Sequence, residues 1–413
     1  MKYIKLLLVF ITIFANSLTA EVNTFDINLS SDFKISSNHL KLSEIDKLFS
    51  GINLSENFKN NFINNLDNEN KHNIDFKNYV GLSYQNSKYK ISLSFTDRIY
   101  TSYNLKKDFY EFVFFGNSRS ISDTLNLNNS YFSALKYQQV KLGSSHNFGN
   151  YQIGYKIGYL IGNNLISSNI ENATLYTSQN ITNILMDYNV SSTYSNEFSS
   201  SFFRGNGNGI SIDLNLLKKT ESKAYQIQIL DFGFINWLDN NNNYSDSNFV
   251  YSGIEITDDI NIGDTNFLSN TNLDKFISES NTYSFLPTQI SFVINSESKI
   301  QFIRSNKIGF NFLWYPTKFY EKISDIKFKD GIYKNGFAPQ IYTESIIDLN
   351  YFLFSPILSY GGFSDNLNFG TKLTFGESND FCIGSYNLES LLQQRESNNV
   401  SIYLQLKLSL WTF

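Results

Sequence analysis

Tyr151-Gln-Ile-Gly-Tyr-Lys-Ile-Gly-Tyr-Leu-Ile161 is the stretch whose reading decides the fold. Its odd positions are Tyr, Ile, Tyr, Ile, Tyr and Ile; its even positions are Gln, Gly, Lys, Gly and Leu. A strand turns successive side chains to opposite faces, so the segment has one greasy face and one small or polar face. Segments of the same kind recur from about Tyr79 to the C-terminus. A soluble sandwich carries the same alternation. Repeated along most of a chain that begins with an export signal, it reads as a transmembrane β-barrel.

The first twenty residues have the form of that signal. Lys2 and Lys5 supply the positive start, Leu6 to Phe14 is apolar but for Thr12, and Ala20 offers a small residue for cleavage. The run is shorter than the roughly 20 residues a spanning helix needs, and no later run approaches it. Open strands in lipid leave backbone groups unpaired, so a membrane protein of this kind closes into a barrel. About 390 residues would remain after cleavage, enough for roughly 14 antiparallel strands, within a range of about 12 to 16. The expected address is the bacterial outer membrane, with its lipids and the barrel-assembly machinery as partners. A formal net charge of −5 argues against nucleic acid. Cys382 is the single cysteine, which excludes an internal disulfide and a cysteine-held metal cluster. Aromatics make up 16% of the chain, as expected if girdles mark the two lipid–water boundaries.

Residues 21–76 read differently and are expected to form a helical plug or a periplasmic segment. Ser43-Glu-Ile-Asp46 resembles a helix start, and Phe58, Phe62 and Leu66 recur every four residues after Ser55. The barrel is then expected over 77–413. Its hairpins include Tyr79–Tyr84 with Tyr89–Phe95, Leu135–Ser144 with Tyr151–Ile161, and Ile210–Leu217 with Tyr225–Ile235. Trp237–Ser247 and Thr257–Thr282 read as long loops. Tyr342–Phe354 and Ile357–Phe363 read as strands broken near Pro356. In the final strand the apolar row runs on even numbers from Val400 to Leu410, whereas Trp411 and Phe413 are odd; a bulge near Leu410 would reconcile them.

Candidate chemistry is sparse. Ser144 and His146 share a strand face, but no third member of a hydrolytic triad is recognisable, so no enzyme is expected. Arg204-Gly-Asn-Gly-Asn-Gly209 lacks the Lys-Ser/Thr of a phosphate loop and reads as a turn. Asp239-Asn-Asn-Asn-Asn243 fails the calcium-loop pattern, with Tyr244 where Gly is required. Asp258, Asp259 and Asp264 read as a solvated acidic loop. No catalytic residue, metal ligand or cofactor is therefore assigned. Gly154, Gly158 and Gly162 are the candidate site residues: if Tyr and Ile face lipid, these glycines form a lumen-facing wall, making room for a plug, a ligand or a sharp bend. No inward Arg or Lys ladder is visible.

Several segments together resemble a family of uncharacterised outer-membrane barrels of Bacteroidota, a domain of unknown function. They are Asp108-Phe-Tyr-Glu-Phe-Val-Phe-Phe-Gly-Asn117, Lys141-Leu-Gly-Ser-Ser145, Ile229-Leu-Asp-Phe-Gly-Phe-Ile-Asn-Trp237, Leu286-Pro-Thr288 and Tyr386-Asn-Leu-Glu-Ser-Leu-Leu392. That family is distantly similar to the long-chain fatty-acid transporter barrels. The resemblance implies a barrel and brings no catalytic residue. Three function classes follow: a plugged barrel binding or passing small hydrophobic molecules, a structural or assembly partner in secretion or surface attachment, and an open diffusion pore.

Overall fold

The computed structural model describes residues 24–50, 53–179, 184–195, 203–251, 275–315, 337–376, 379–392 and 397–412. The export signal, Asp258, Asp259 and Asp264 lie outside them. The strands are β1 (Thr24–Ser37), β2 (Glu69–Gln85), β3 (Tyr89–Lys106), β4 (Thr124–Asn126), β5 (Ser130–Phe148) and β6 (Tyr151–Thr177). Then come β7 (Ile184–Ser195), β8 (Gly207–Lys219), β9 (Lys223–Tyr251), β10 (Lys275–Phe285), β11 (Thr288–Glu297) and β12 (Ile303–Trp314). The last are β13 (Phe337–Asp348), β14 (Leu353–Gly361), β15 (Asn366–Phe375), β16 (Asp380–Ser385) and β17 (Asn399–Thr412). All pair antiparallel, and β1 pairs with both β2 and β17, so the sheet closes on itself. β4 and β5, β7 and β8, and β10 and β11 are successive pieces of one stave each. The result is a closed barrel of 14 staves. Closure is what lets strands cross lipid, because every ladder N–H and C=O then has a partner.

Alternation sets the faces. On β6, Tyr155, Ile157 and Tyr159 are exposed on the outside, while Gly154, Gly158 and Leu160 are buried on the inside. Leu142, Ile210, Ile308 and Phe369 continue the outward apolar belt on other staves. The belt is what burial in hydrocarbon requires of a barrel wall.

The expectation for residues 21–76 needs correction. Thr24–Ser37 is a stave, paired along its length with β2 and β17. Phe25, Ile27, Leu29, Phe33 and Ile35 alternate with polar residues, which is a strand pattern; the helical signals that follow obscured it. Two helices do lie between β1 and β2: α1 (Leu42–Phe49) and α2 (Glu56–Asn65). α1 begins at Leu42 rather than after Ser43, and the Lys41 N–H donates to Glu44 Oε2 at 3.0 Å. α2 is capped by Ser55, whose hydroxyl accepts from the Phe58 N–H at 3.3 Å.

These helices are neither a plug nor a segment at the short-turn mouth. They belong to the end of the barrel opposite the tight turns and both termini. A third helix, α3 (Lys107–Phe115), joins them there, with the Phe62 and Tyr110 rings 5.5 Å apart. Tyr110 Oη lies 3.3 Å from Nε2 of His72, and burial pushes its phenol well above the ordinary range. His72 stacks on Tyr103 at 4.4 Å. The β2–β3 register is unbroken, so His72 shares the outward face with exposed Val80, and Tyr103 with exposed Ile99. The helices thus lean on the outside of the wall.

Three further expectations change. Trp237–Ser247 is part of β9, which runs on to Tyr251 against β7 and β10. Its Asn run is polar at every position, so alternation could not reveal the strand. Thr257–Thr282 falls partly outside the described residues, and its end, from Lys275, is β10. Pro356 lies inside β14, whose turn with β13 comes earlier, at Leu349–Phe352. The β13–β14 ladder skips the positions facing Pro356, which has no N–H to offer. The expected bulge at the C-terminus is present: Phe25 faces Trp411 and Asp26 faces Ser409, leaving Leu410 as the extra residue.

Candidate functional site: a lumen crossed by its own side chains

Two bulges decide what enters the lumen. On β6 the register with β5 slips at Asn163, so even positions face inward up to Gly162 and odd positions from Asn163 on. On β9 the register with β8 slips between Ile212 and Leu214, opposite Leu230 and Asp231. Asp231 has φ +59°, a left-handed backbone that Asp tolerates better than most residues. The slip turns Asp231, Gly233, Ile235 and Trp237 inward and leaves Phe232 on the lipid side.

Asp231 anchors a buried ionic cluster. Lys141 Nζ donates to Asp213 Oδ1 and to Asp231 Oδ1, both at 2.6 Å. Arg98 Nη1 donates to Asp231 Oδ2 at 3.2 Å and to Tyr137 Oη at 3.3 Å. The other edge of the guanidinium holds Asp75 in a bidentate pair at 2.8 and 2.7 Å. The Asp231 N–H donates to Asp213 Oδ1 at 2.8 Å. Arg98 belongs to β3 and Asp231 to β9, so the pair spans part of the lumen rather than one ladder. On the opposite wall Glu344 lies 3.3 Å from Lys307 and 3.6 Å from Lys372. The absence of an inward basic ladder, expected from sequence, is therefore wrong. The basic residues are spread one or two per strand, and only closure brings them together.

Beside the ionic cluster, toward the long-loop end, lies an apolar layer. It comprises Tyr100, Leu135, Tyr137, Leu160, Leu165, Ile235, Trp237, Leu286 and Tyr315. Trp237 is fully buried, and its Nε1 donates to Ser284 Oγ at 2.7 Å. Tyr315 reaches from the end of β12 toward β5, where its hydroxyl shares a 2.7 Å hydrogen bond with Ser133. Tyr100 and Tyr315 meet edge to face at 5.0 Å.

Gly154, Gly158 and Gly162 of β6 are buried on the inward face. A Cβ at Gly162 would lie 2.7 Å from the Trp237 ring and 2.8 Å from Ile235. One at Gly158 would collide with Ser211 Oγ and approach Lys141 Cγ at 2.9 Å. Gly154 borders a lumen cavity instead. What stands close to Gly158 and Gly162 is thus the side chains of neighbouring staves. Gly162→Val is expected to cost about 1–3 kcal/mol through overpacking. The measurement is the temperature at which the compact band on an unheated gel converts to the unfolded one.

The cavity opens at the short-turn end and has a volume of about 580 Å³. Its walls include Asn28, Tyr79, Lys90, Lys156, Asn215 and Lys407. Ser144 and His146 do form a hydrogen bond, at 3.1 Å. Leu142, two residues before Ser144, is exposed, which puts the pair on the lipid side near the rim, with no acid joined to the imidazole in the described contacts. Among the described residues no cluster of three or more His, Cys, Asp or Glu could hold a metal ion.

No curated protein matches the chain. Among solved structures it resembles the toluene transporter TbuX of Ralstonia pickettii at 9% identity and a TM-score of 0.44, over 95% of this chain and 90% of that one. A FadL homologue of Pseudomonas aeruginosa aligns at 9% identity and a TM-score of 0.41, over 94% and 90%. The translocator domain of the autotransporter NalP from Neisseria meningitidis aligns at 6% identity and a TM-score of 0.34, over 98% and 95%. A family model covers residues 19–324, and the chain belongs to that family of unknown function, DUF5723.

Proposed function

We propose that this protein is a plugged barrel of the bacterial outer membrane that binds or passes small molecules, in a closed state here. The observation that carries the reading is that side chains cross part of the lumen: Arg98 on β3 and Lys141 on β5 meet Asp231 on β9, and Tyr315 at the end of β12 meets Ser133 on β5. Such links narrow the bore, while the cavity at the short-turn end is of ligand size. The apolar layer around Trp237 supports the hydrophobic-molecule version of the reading, since such a molecule could exchange with those side chains. Removing residues 21–76 would not open the barrel, because it would delete β1 and the start of β2.

A second reading, a surface scaffold, has one specific support. β6 has 27 residues and β9 has 29, far more than the roughly 9–11 that cross a membrane. With β7 and β10 they form a sheet that continues past the barrel at the long-loop end. Planar-bilayer recording of the folded protein tests the plug. The expected trace is a closed baseline; a steady open conductance overturns the plugged reading in favour of a pore. Protein partners that copurify with the intact chain, and are lost when the β6–β7 extension is shortened, would favour the scaffold.

A further inference from the structure

The cavity at the short-turn end has a chemistry that the plug does not explain. Three lysines face it from separate parts of the wall: Lys90 on β3, Lys156 on β6 and Lys407 on β17. Alternation puts each on the inward face. Lys90 shares it with buried Ser94 and Arg98, Lys156 with Gly154 and Gly158, and Lys407 with buried Ser401. Among the described residues none of the three has an ion pair within 4.0 Å, in contrast to Lys141, Arg98, Lys307 and Lys372 in the same lumen.

The carboxylates nearby are mostly committed. Asp213 takes the Lys141 ammonium at 2.6 Å and the Asp231 N–H at 2.8 Å. Asp26, which lines the cavity together with Asp213, accepts from Ser409 Oγ at 2.7 Å. Asp380 faces Lys407 across the β16–β17 ladder without closing an ion pair to it. Lys90 feels first the opposite charge of Asp26, and after it the like charges of Lys407 and Lys156. Like charges held around one cavity repel, and low-dielectric walls focus their field into the space between them. An anion in the cavity removes that cost.

The wall is also shaped for these side chains. A Cβ at Gly143 would collide with the Lys156 stem, so the glycine is what allows Lys156 to lie along the wall. The surrounding groups are hydrogen-bonding ones, among them Asn28, Gln85 and Asn215. These groups favour a polar ligand end here, in contrast to the apolar layer farther in.

We infer that the short-turn cavity is an anion-binding site, in which Lys90, Lys156 and Lys407 hold a phosphate or carboxylate group of a small solute. This rests on the reading of the barrel as a small-molecule binder and specifies the acidic class of what it takes. The anion sits between the lysine ammonium groups as a hydrogen-bonded ion, and no bond is made or broken.

The test is isothermal titration calorimetry of the folded protein in an uncharged detergent at low salt, with pyrophosphate as probe and maltose as neutral control. Pyrophosphate should bind and maltose should not. Lys90→Gln/Lys156→Gln should weaken pyrophosphate binding by at least about tenfold, and raised sodium chloride should weaken the wild type. Lys218→Gln/Lys219→Gln, at the neighbouring tight turn, should leave it unchanged. The compact band on an unheated gel shows that each variant is folded. No binding to the wild type, or equal binding to the Lys90/Lys156 variant, overturns the inference. Binding is read with the plug intact, so this failure is distinct from that of the plugged reading, which falls on conductance alone.

Discussion

Trp237→Ala/Tyr315→Ala should turn a silent barrel into a conducting one. The argument rests on the difference between the two layers in the lumen. The ionic cluster of Asp75, Arg98, Lys141, Asp213 and Asp231 is buried but polar, and its charges compensate one another. The apolar layer repels water, and a narrow apolar constriction blocks ions by staying dry. Trp237 is its largest fully buried side chain, and Tyr315 is one of three fully buried tyrosines beside it. Truncating both removes two aromatic rings and the Tyr315–Ser133 bridge at once. Each truncation is also expected to destabilise by about 3–5 kcal/mol, so the folded fraction is checked on an unheated gel before recording. Steady single-channel steps in folded double variant, with none in wild type, are the expected result. A folded double variant that stays silent would show that the seal lies elsewhere.

Lys141→Ala should be among the most damaging single substitutions in the barrel. It leaves Asp213 and Asp231 facing each other without the ammonium that now touches both at 2.6 Å. Breaking a buried ion cluster by removing one partner costs about 3–5 kcal/mol, because a charge is left uncompensated. Removing the charges together costs far less. The variant Lys141→Met/Asp213→Asn/Asp231→Asn should therefore recover most of the loss. Equilibrium urea unfolding in detergent micelles measures both. If Lys141→Ala unfolds at the wild-type midpoint, the lumen there is wet enough to solvate the carboxylates, and the plug is looser than its geometry implies.

Much of the wall was legible residue by residue. The Tyr-Ile alternation of β6 identifies a strand with one exposed apolar face, which Tyr155, Ile157 and Tyr159 form. The phase conflict between Leu410 and Trp411 was readable as a bulge because a two-residue period has no other way to change face. The misreadings are equally local. β1 alternates cleanly but precedes two amphipathic helices, and the stronger helical signal was extended over it. The Asn-rich half of β9 has no apolar face, so only its ladders with β7 and β10 identify it as a strand.

By itself, then, the sequence determined the class of wall: period-two patterning dictates which side chains meet lipid, since the band of a barrel wall that faces hydrocarbon is predominantly apolar. The inside was decided only by tertiary structure. Inward residues are free of that constraint, and their meaning depends on partners several staves away: Arg98 with Asp231, Lys141 with Asp213, Tyr315 with Ser133. Those distances exist only once β1 closes onto β17 and the bulge at Asp231 has turned its stave inward.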